Sequence, residues 1–584
     1  MAGKNEDDFK IIEEGLCKIE FPKNNSVFYN PVQVFNRDFS VLVLETYSQL
    51  LSEELKQKKI KTRKRENFKG LQILEALSAT GLRSIRYFKE VPGIQFIVAN
   101  DIDPTAVELI RKNVKDNNIN SDTEIIPSHK DAILLMEEKA QKKELFDVID
   151  LDPYGSASDF ISSSIKSIKD GGLMCVTCTD MIVLSGKNPS TAYNKYDSLP
   201  LRKKYCHENA LRIVLSYISK TASHQKKYIE PLISISVDFY IRLFFRVFSG
   251  PNKAKEAVTK LSYIFQSTRI PSFFLSPVLT KQKSKEAFGI LPYDEITYPE
   301  MVYKEKEEKQ EKQVPTKDGE TESKESNKQI FVPVNRYQIG GPIWNAPIHN
   351  TQFIQKLKTI LNLPQNKNRF HTEKRITGIL DALSDELVDA PLYHDIGEIS
   401  KTLKFPTPSL IDIKSAIINA GFNVSGSHCA PNVIKTNAPM NVIWDIWRCW
   451  ARKQKDFDQK FHQLDVSSIA FQLLSKEPVL KADFTIVEKA KYKVKTFFPN
   501  PEKNWGPKSR ANSKNSKNSK NSKNSRNLKR KEDEEIIIEN DDNKESIKKT
   551  KQKQNSQSNS NSNSNSNEKE KEKEKLKIKI KIQN

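Results

Sequence analysis

Residues Leu71-Gln72-Ile73-Leu74-Glu75-Ala76-Leu77-Ser78-Ala79-Thr80-Gly81 set the architecture of this chain. An apolar run passes into a turn of small residues, and residues 82–90 then carry apolar side chains at helical spacing. The stretch therefore reads as a buried strand, a tight turn and a helix. Phe96-Ile97-Val98-Ala99 forms the next short strand and ends at Asn100-Asp101. Asp101 stands twenty residues beyond Gly81, the spacing at which a carboxylate meets ribose hydroxyls in doubly wound folds. The turn holds one glycine, Gly81, so the three-glycine fingerprint of dinucleotide enzymes is missing. An adenosine-containing cofactor is expected, and a nicotinamide-dependent oxidoreductase is not.

Beyond Asp101 the alternation continues. The pattern predicts a helix over 104–118, a strand at 124–126, a helix over 131–142, a strand ending at Leu151, a helix over 156–169 and a strand over 173–178. Strands alternating with helices make a parallel sheet, hence an α/β fold. Ligands of such sheets lie beyond the carboxyl ends of the strands, and there the turn ending in Gly81, Asp101, Asp131 and Asp152 converge. Taken singly, Asp131 is as well explained as a helix N-cap.

The chemistry concentrates in Asp152-Pro153-Tyr154-Gly155, directly after the apolar run 145–151. An exocyclic amine on a nucleobase is a poor nucleophile because its lone pair is shared with the ring. A catalyst must accept its N–H bonds and aim that lone pair. Asp152 and the Pro153 carbonyl supply acceptors and Tyr154 a stacking face, a trio suited to methyl transfer onto a planar amine. The bland alternative is a strand-end turn in which these residues only punctuate the chain.

A family resemblance extends this reading. Asn36-Arg37-Asp38, Ala79-Thr80-Gly81-Leu82-Arg83-Ser84-Ile85-Arg86-Tyr87, Asn100-Asp101, Asp150-Leu151-Asp152-Pro153-Tyr154-Gly155 and Cys178-Thr179-Asp180-Met181 resemble the tRNA guanine-26 N2,N2-dimethyltransferases. Gly340-Gly341-Pro342-Ile343-Trp344, His349-Asn350, Lys435-Thr436-Asn437-Ala438-Pro439 and Asn500-Pro501-Glu502-Lys503-Asn504-Trp505-Gly506-Pro507 look like that family's second domain. The resemblance implies a class I methyltransferase domain that uses S-adenosylmethionine, with Arg37, Arg83, Asp101, Asp131 and Ala132 at positions similar to its cofactor contacts; Gly81, from the strand-turn-helix reading, joins them as a cofactor-binding residue. It puts Asp152 at the catalytic place, with Pro153 and Tyr154 joining it from the reading of the trio above, and Phe28 at the position of an aromatic beside the target base. An arginine in Asn36-Arg37-Asp38 suits the methionine carboxylate, which a guanidinium holds bidentately.

One departure from the family stands out. Its members often carry paired cysteines before the Gly-Gly-Pro-Ile-Trp segment, whereas residues 304–338 here contain none, so no structural zinc is expected there. Of the six cysteines only Cys175 and Cys178 are close in sequence. Three apart on a strand, they should face opposite sides and share no metal. His349 and His428 read as structural histidines, since methyl transfer from a sulfonium needs neither.

Composition bounds the rest. The chain has 584 residues and a net charge of +21, and a basic surplus favours RNA through counterion release. From Lys508 onward, 22 Lys and Arg stand against 12 Asp and Glu, a net +10, leaving about half the surplus to the folded part. Few cysteines suit a reducing compartment, the acidic N-terminus lacks a signal-peptide core, and no stretch reads as a membrane span. Nucleus and cytoplasm are the expected locations, with a mitochondrial share left open. The basic run 56–65 reads as a phosphate grip or an import signal, and Lys529-Arg530-Lys531 as a second such signal.

The expected organisation is a methyltransferase domain over 1–272, an α+β domain over 273–507 with a disordered insertion at 304–328, and a disordered low-complexity tail over 508–584. A helix is expected over 252–265, and further helices over 351–361, 372–387 and 408–420. The tryptophans of Trp444-Asp445-Ile446-Trp447 read as core. The expected partner is tRNA, bound by a monomer without a metal or a membrane. Two other readings stay open: an amine methyltransferase acting on a different nucleobase or on protein glutamine, and a noncatalytic RNA-binding or RNA-folding protein.

Overall fold

The computed structural model describes residues 9–23, 29–57, 68–282, 285–288 and 337–491. A hairpin of β1 (Phe9–Glu14) and β2 (Cys17–Pro22) leads to the long helix α1 (Val34–Lys56). Strand and helix then alternate through β3 (Leu71–Glu75), α2 (Leu82–Glu90), β4 (Ile94–Asp101), α3 (Pro104–Asp116), β5 (Ile125–His129), α4 (Ala132–Gln141), β6 (Phe146–Leu151), α5 (Ser158–Ser167) and β7 (Ile168–Cys178). Two short helices, α6 (Met181–Leu184) and α7 (Pro189–Tyr196), and the longer α8 (Cys206–His224) precede the antiparallel pair β8 (Lys227–Val237) and β9 (Tyr240–Ser249).

These strands form one seven-stranded sheet in the order β5-β4-β3-β6-β7-β9-β8. The first five run parallel, and β9 joins β7 antiparallel. Burial on both faces explains why the inner strands read as continuous apolar runs. Leu74, Ile149, Met174 and Cys178 pack into the core on one face, while Ile73, Val148, Leu173 and Cys175 pack into that on the other. The two cysteines thus face opposite ways, as their spacing predicts. From β3 the chain moves outward to β4 and β5, then returns to β6 on the other side of β3. This reversal opens a crevice at the carboxyl ends of β3 and β6, the general ligand site of such sheets.

The expected helix over 252–265 is only partly present. A helical turn over Pro251–Lys255 and a 3-10 segment over Glu256–Lys260 give way to a strand over Leu261–Ser267. That strand pairs antiparallel with Phe273–Pro277 on one side and Tyr337–Trp344 on the other. Its second partner lies some seventy residues downstream, so local periodicity could not reveal it. The three-stranded sheet also straddles the boundary expected at Ser272.

Further on, helices at Thr351–Leu361 and Glu373–Asp385 bury Phe353, Leu357 and Leu380 in the same core as Phe39 and Leu42 of α1. In the helix Met440–Arg452, Trp444 and Trp447 are buried and donate their indole N–H groups to Ser272 Oγ and Ser400 Oγ, each at 3.0 Å. They are core residues, as expected. All described residues fall within one compact unit, Met1–Ala511. Among them no helix is long and apolar enough to cross a membrane. The insertion 304–328, the tail 508–584, the motif 500–507, residues 58–65 of the basic run and Phe28 lie outside the described residues.

Candidate active site

A cavity of about 250 Å³ occupies the crevice, lined by Tyr29, Arg37, Glu75, the turn Ser78-Ala79-Thr80, Arg83, Asp101, Ile102, Asp152, Pro153, Tyr154, Thr179 and Phe239 among others. Gly81 closes the turn at φ 76°, a left-handed conformation that only glycine adopts without strain, and α2 starts directly after it. At the end of β4, Asp101 accepts the amide N–H groups of Ala79 at 2.8 Å and Asp103 at 3.0 Å. Burial raises its pKa.

The arginines are heavily engaged. Arg37, on α1, donates through Nε and Nη2 to the two oxygens of Glu14, each at 2.7 Å, and through Nη2 to the Asn30 carbonyl at 3.2 Å. Its Nη1 has no hydrogen-bond partner among the described residues, which leaves one end of the guanidinium for an anion in the cavity. Arg83, on α2, pairs directly with Asp152 through Nη2 and lies 3.4 Å from Glu75 and 3.8 Å from Asp150. Its guanidinium is committed to the carboxylate expected to do the chemistry. Asp150 in turn is held by Arg242 through two contacts of 2.8 Å and by the Tyr87 hydroxyl at 2.6 Å.

Buried charge of this density shifts proton affinities. Burial pushes the Glu75 carboxyl up, Arg83 pulls it back, and the balance stands at about 7. For Asp150 the penalty of burial is overcome by Arg242 and Arg83, which hold it below the usual carboxylate range.

After β6, the loop with Asp152, Pro153 and Tyr154 is stapled to the end of β7. Gly155 N–H donates to Thr179 Oγ1 and Thr179 N–H donates to the Gly155 carbonyl, both at 2.8 Å. Tyr154 stays 45% exposed, so its ring is presented at the cavity and not spent on the core.

Of the residues expected at the site, the cavity wall brings together Arg37, Arg83, Asp101, Asp152, Pro153 and Tyr154. Gly81 shapes the turn. Asp131 and Ala132 stand apart from that lining: Asp131 caps α4, accepting from Ile133 N–H at 2.8 Å and Leu134 N–H at 3.1 Å. Sequence reasoning missed Glu14, Glu75, Thr179 and the Asp150–Arg242 pair. Glu75, at the end of β3, and Thr179, at the end of β7, were accessible from the strand-end rule. Glu14 was not, since only the fold brings the N-terminal hairpin to Arg37.

The family model described as N2,N2-dimethylguanosine tRNA methyltransferase matches residues 5–448. The chain belongs to this family. The tRNA (guanine(26)-N(2))-dimethyltransferase of Homo sapiens is 38% identical over 544 residues, covering 86% of this chain and 77% of its own length. The mitochondrial tRNA (guanine(26)-N(2))-dimethyltransferase of Saccharomyces cerevisiae is 32% identical and covers 87% of this chain and 93% of its own length. Trm1 from Pyrococcus horikoshii, solved in complex with S-adenosyl-L-methionine, is 28% identical with a TM-score of 0.57, covering 75% of this chain and 99% of its own. The family match thus spans the crevice-forming strands and much of the region downstream of them.

A second cluster of ionisable groups lies away from the crevice. His349, Glu386 and His428 are buried, with potential ligand atoms within 4.8 Å of one another. They sit within a network of hydrogen bonds and ion pairs. Backbone N–H groups of Ser234 and Ser236 point at His349 Nδ1 and His428 Nε2, each at 3.3 Å. Burial alone would lower the His428 pKa, but Cys429 and Glu386 raise it to about 10, so its Nδ1 donates to Glu386 at 2.7 Å. Lys435 Nζ lies 2.8 Å from Glu386 and 3.0 Å from Glu208, filling the cationic role. Burial alone would raise the Glu386 pKa, but Lys435 and His428 hold it well below its usual value, while burial keeps His349 neutral. Both histidines are buried and stand apart from the crevice residues.

Proposed function

We propose that this chain transfers methyl groups from S-adenosylmethionine to N2 of guanine 26 in tRNA, forming N2-methyl- and then N2,N2-dimethylguanosine. The observation that carries the proposal is the meeting of Asp152, Pro153 and Tyr154 with Arg37 and Asp101 on one cavity wall, within a family defined by that reaction. The residues fit the cofactor: Arg37 has an unspent donor end for the methionine carboxylate, Asp101 a carboxylate for ribose hydroxyls, and the turn Ser78-Ala79-Thr80 lines the same wall. Asp131 and Ala132 are assigned to the far, adenine end of the same site. When bound, the cofactor supplies an electrophilic methyl on a sulfonium.

The chain's own groups do the rest. Asp152 and the Pro153 carbonyl accept the N2–H bonds and turn the lone pair toward the methyl carbon, while Tyr154 and Phe28 stack on the turned-out guanine. Arg83 fixes the Asp152 carboxylate in place. The methylated amine is weakly basic and sheds its extra proton to Asp152 or water. The basic runs at 56–65 and 529–531 support nuclear as well as cytoplasmic residence. Incubation with labelled S-adenosylmethionine and separate pools of tRNA, DNA and protein tests the substrate class. Label should enter tRNA alone; label in protein or DNA would favour another amine methyltransferase, and none anywhere a noncatalytic RNA-binding role.

A further inference from the structure

Between β7 and α8 the chain builds a platform, residues 179–204, whose exposed side chains the chemistry above leaves unused. It is rigidly held. At its start Thr179 is stapled to Gly155, beside Tyr154, by two hydrogen bonds of 2.8 Å. In its middle the Tyr196 hydroxyl donates to Asp180 at 2.9 Å, and Ala192 and Tyr196 are buried. Near its end Leu199 and Gly341 exchange backbone hydrogen bonds of 3.0 and 2.9 Å. Gly186 lies so close to the opposite limb that a Cβ there would sit 2.8 Å from the Arg202 amide nitrogen, which puts Lys187 next to Arg202.

On this frame Ile182 is 62% and Tyr193 54% exposed. Exposed apolar side chains on a held scaffold contribute little to folding, because the hydrophobic effect favours burial. The segment that carries them is basic. Residues 180–204 carry five cations, Lys187, Lys195, Arg202, Lys203 and Lys204, against two carboxylates. Asp197 is paired with Lys220, from α8, and Asp180 with the Tyr196 hydroxyl and, at 3.7 Å, with Lys195. Lys187 and Arg202 are exposed and make no ion pair among the described residues. Exposed cations on the same segment as exposed apolar side chains suit a polyanion whose flat faces become accessible, namely an RNA helix opened at one base.

We infer that the platform receives the tRNA around the target guanine, with Ile182 filling the gap in the stack left by the extruded base and Lys187 and Arg202 gripping adjacent phosphates. Ile182 lies only three residues beyond Thr179, which lines the catalytic cavity together with Tyr154, so the wedge is close in the chain to the cavity that receives the base. The wedge stabilises the open helix, offsetting an unstacking cost of a few kcal/mol. This rests on the reading that tRNA is the substrate.

The test uses full-length protein and a tRNA transcript carrying either guanosine or the fluorescent base 2-aminopurine at position 26. Wild type should methylate the first and brighten the second on binding. Ile182→Ala should lose most of the brightening and slow methylation by about tenfold or more, with cofactor affinity and melting temperature unchanged. A transcript whose position 26 has no pairing partner should restore much of the rate. Lys187→Ala with Arg202→Ala should flatten the salt dependence of tRNA binding by about one unit of slope for each phosphate that is no longer neutralised. Wild-type brightening and turnover in Ile182→Ala, or an unaltered salt slope in the double variant, would overturn the assignment while leaving the methyltransferase reading intact. A wild-type protein that leaves tRNA unmethylated would remove both.

Discussion

Two buried charge networks, similar in composition, do opposite work. In the crevice Glu75, Asp150 and Asp152 surround Arg83, and Glu14 holds Arg37. At the second cluster Glu208 and Glu386 surround Lys435, with Arg212 held by Glu208. The second network turns inward: Arg212 also donates to the Trp344 and Ala346 carbonyls at 2.8 and 3.1 Å, and Glu208 accepts the Leu392 N–H at 2.8 Å. It ties α8 of the methyltransferase region to strands and loops from the second half of the chain. The crevice network keeps a donor end of Arg37, the Asp152 carboxylate and the Tyr154 ring facing a cavity. Counting carboxylates and cations does not separate a structural hub from a site; following each donor and acceptor to its partner does.

The contrast is broken most forcefully at Asp152. Asp152→Ala should lower tRNA methylation by about 10²–10⁴-fold, while calorimetry finds cofactor binding retained; substantial turnover would remove Asp152 from the chemistry. At the inward network, Lys435→Met should cost about 3–5 kcal/mol of stability in denaturant titrations, because Glu386 and Glu208 are left buried without their cation. A cost under about 1 kcal/mol would mean that the hub is solvated.

Next in size is a pH effect. Glu75 has its pKa raised from 4.5 to about 7, so the folded state holds a proton that the unfolded chain has released between those values. Its contribution is fully present below about pH 4.5 and is lost as pH rises through about 7, by up to roughly 3 kcal/mol. Glu75→Gln should flatten stability against pH across that window, and a parallel curve would contradict the assignment. The smallest effect is expected at Arg37. Arg37→Met should weaken S-adenosylmethionine binding by about 10–100-fold through a lost charged hydrogen bond, with turnover at saturating cofactor changed far less.

Legibility in the sequence followed the range of the physics. The alternation from Leu71 to Cys178 was readable because each strand, turn and helix there follows its own local periodicity. Asp101 and Asp152 were readable because strand ends of a parallel sheet converge. The strand at Leu261–Ser267 was misread as helix because its pairing partners, above all Tyr337–Trp344, are remote in the chain. The partners of Arg37 and Arg83 were invisible for a related reason. Glu14 comes from a hairpin preceding α1 and Asp152 from the end of β6, so only the folded sheet decides which carboxylate each guanidinium meets. Asp131 satisfied both the cofactor reading and the N-cap reading, and the structure displays its capping bonds.

Mass spectrometry of nucleosides from a single purified tRNA bearing guanosine 26, treated with the wild-type protein and S-adenosylmethionine, is the sharpest test of the assigned reaction. N2,N2-dimethylguanosine should appear at position 26 and stay absent with Asp152→Ala. An unmodified guanosine 26, or methylation located at another base, would contradict it.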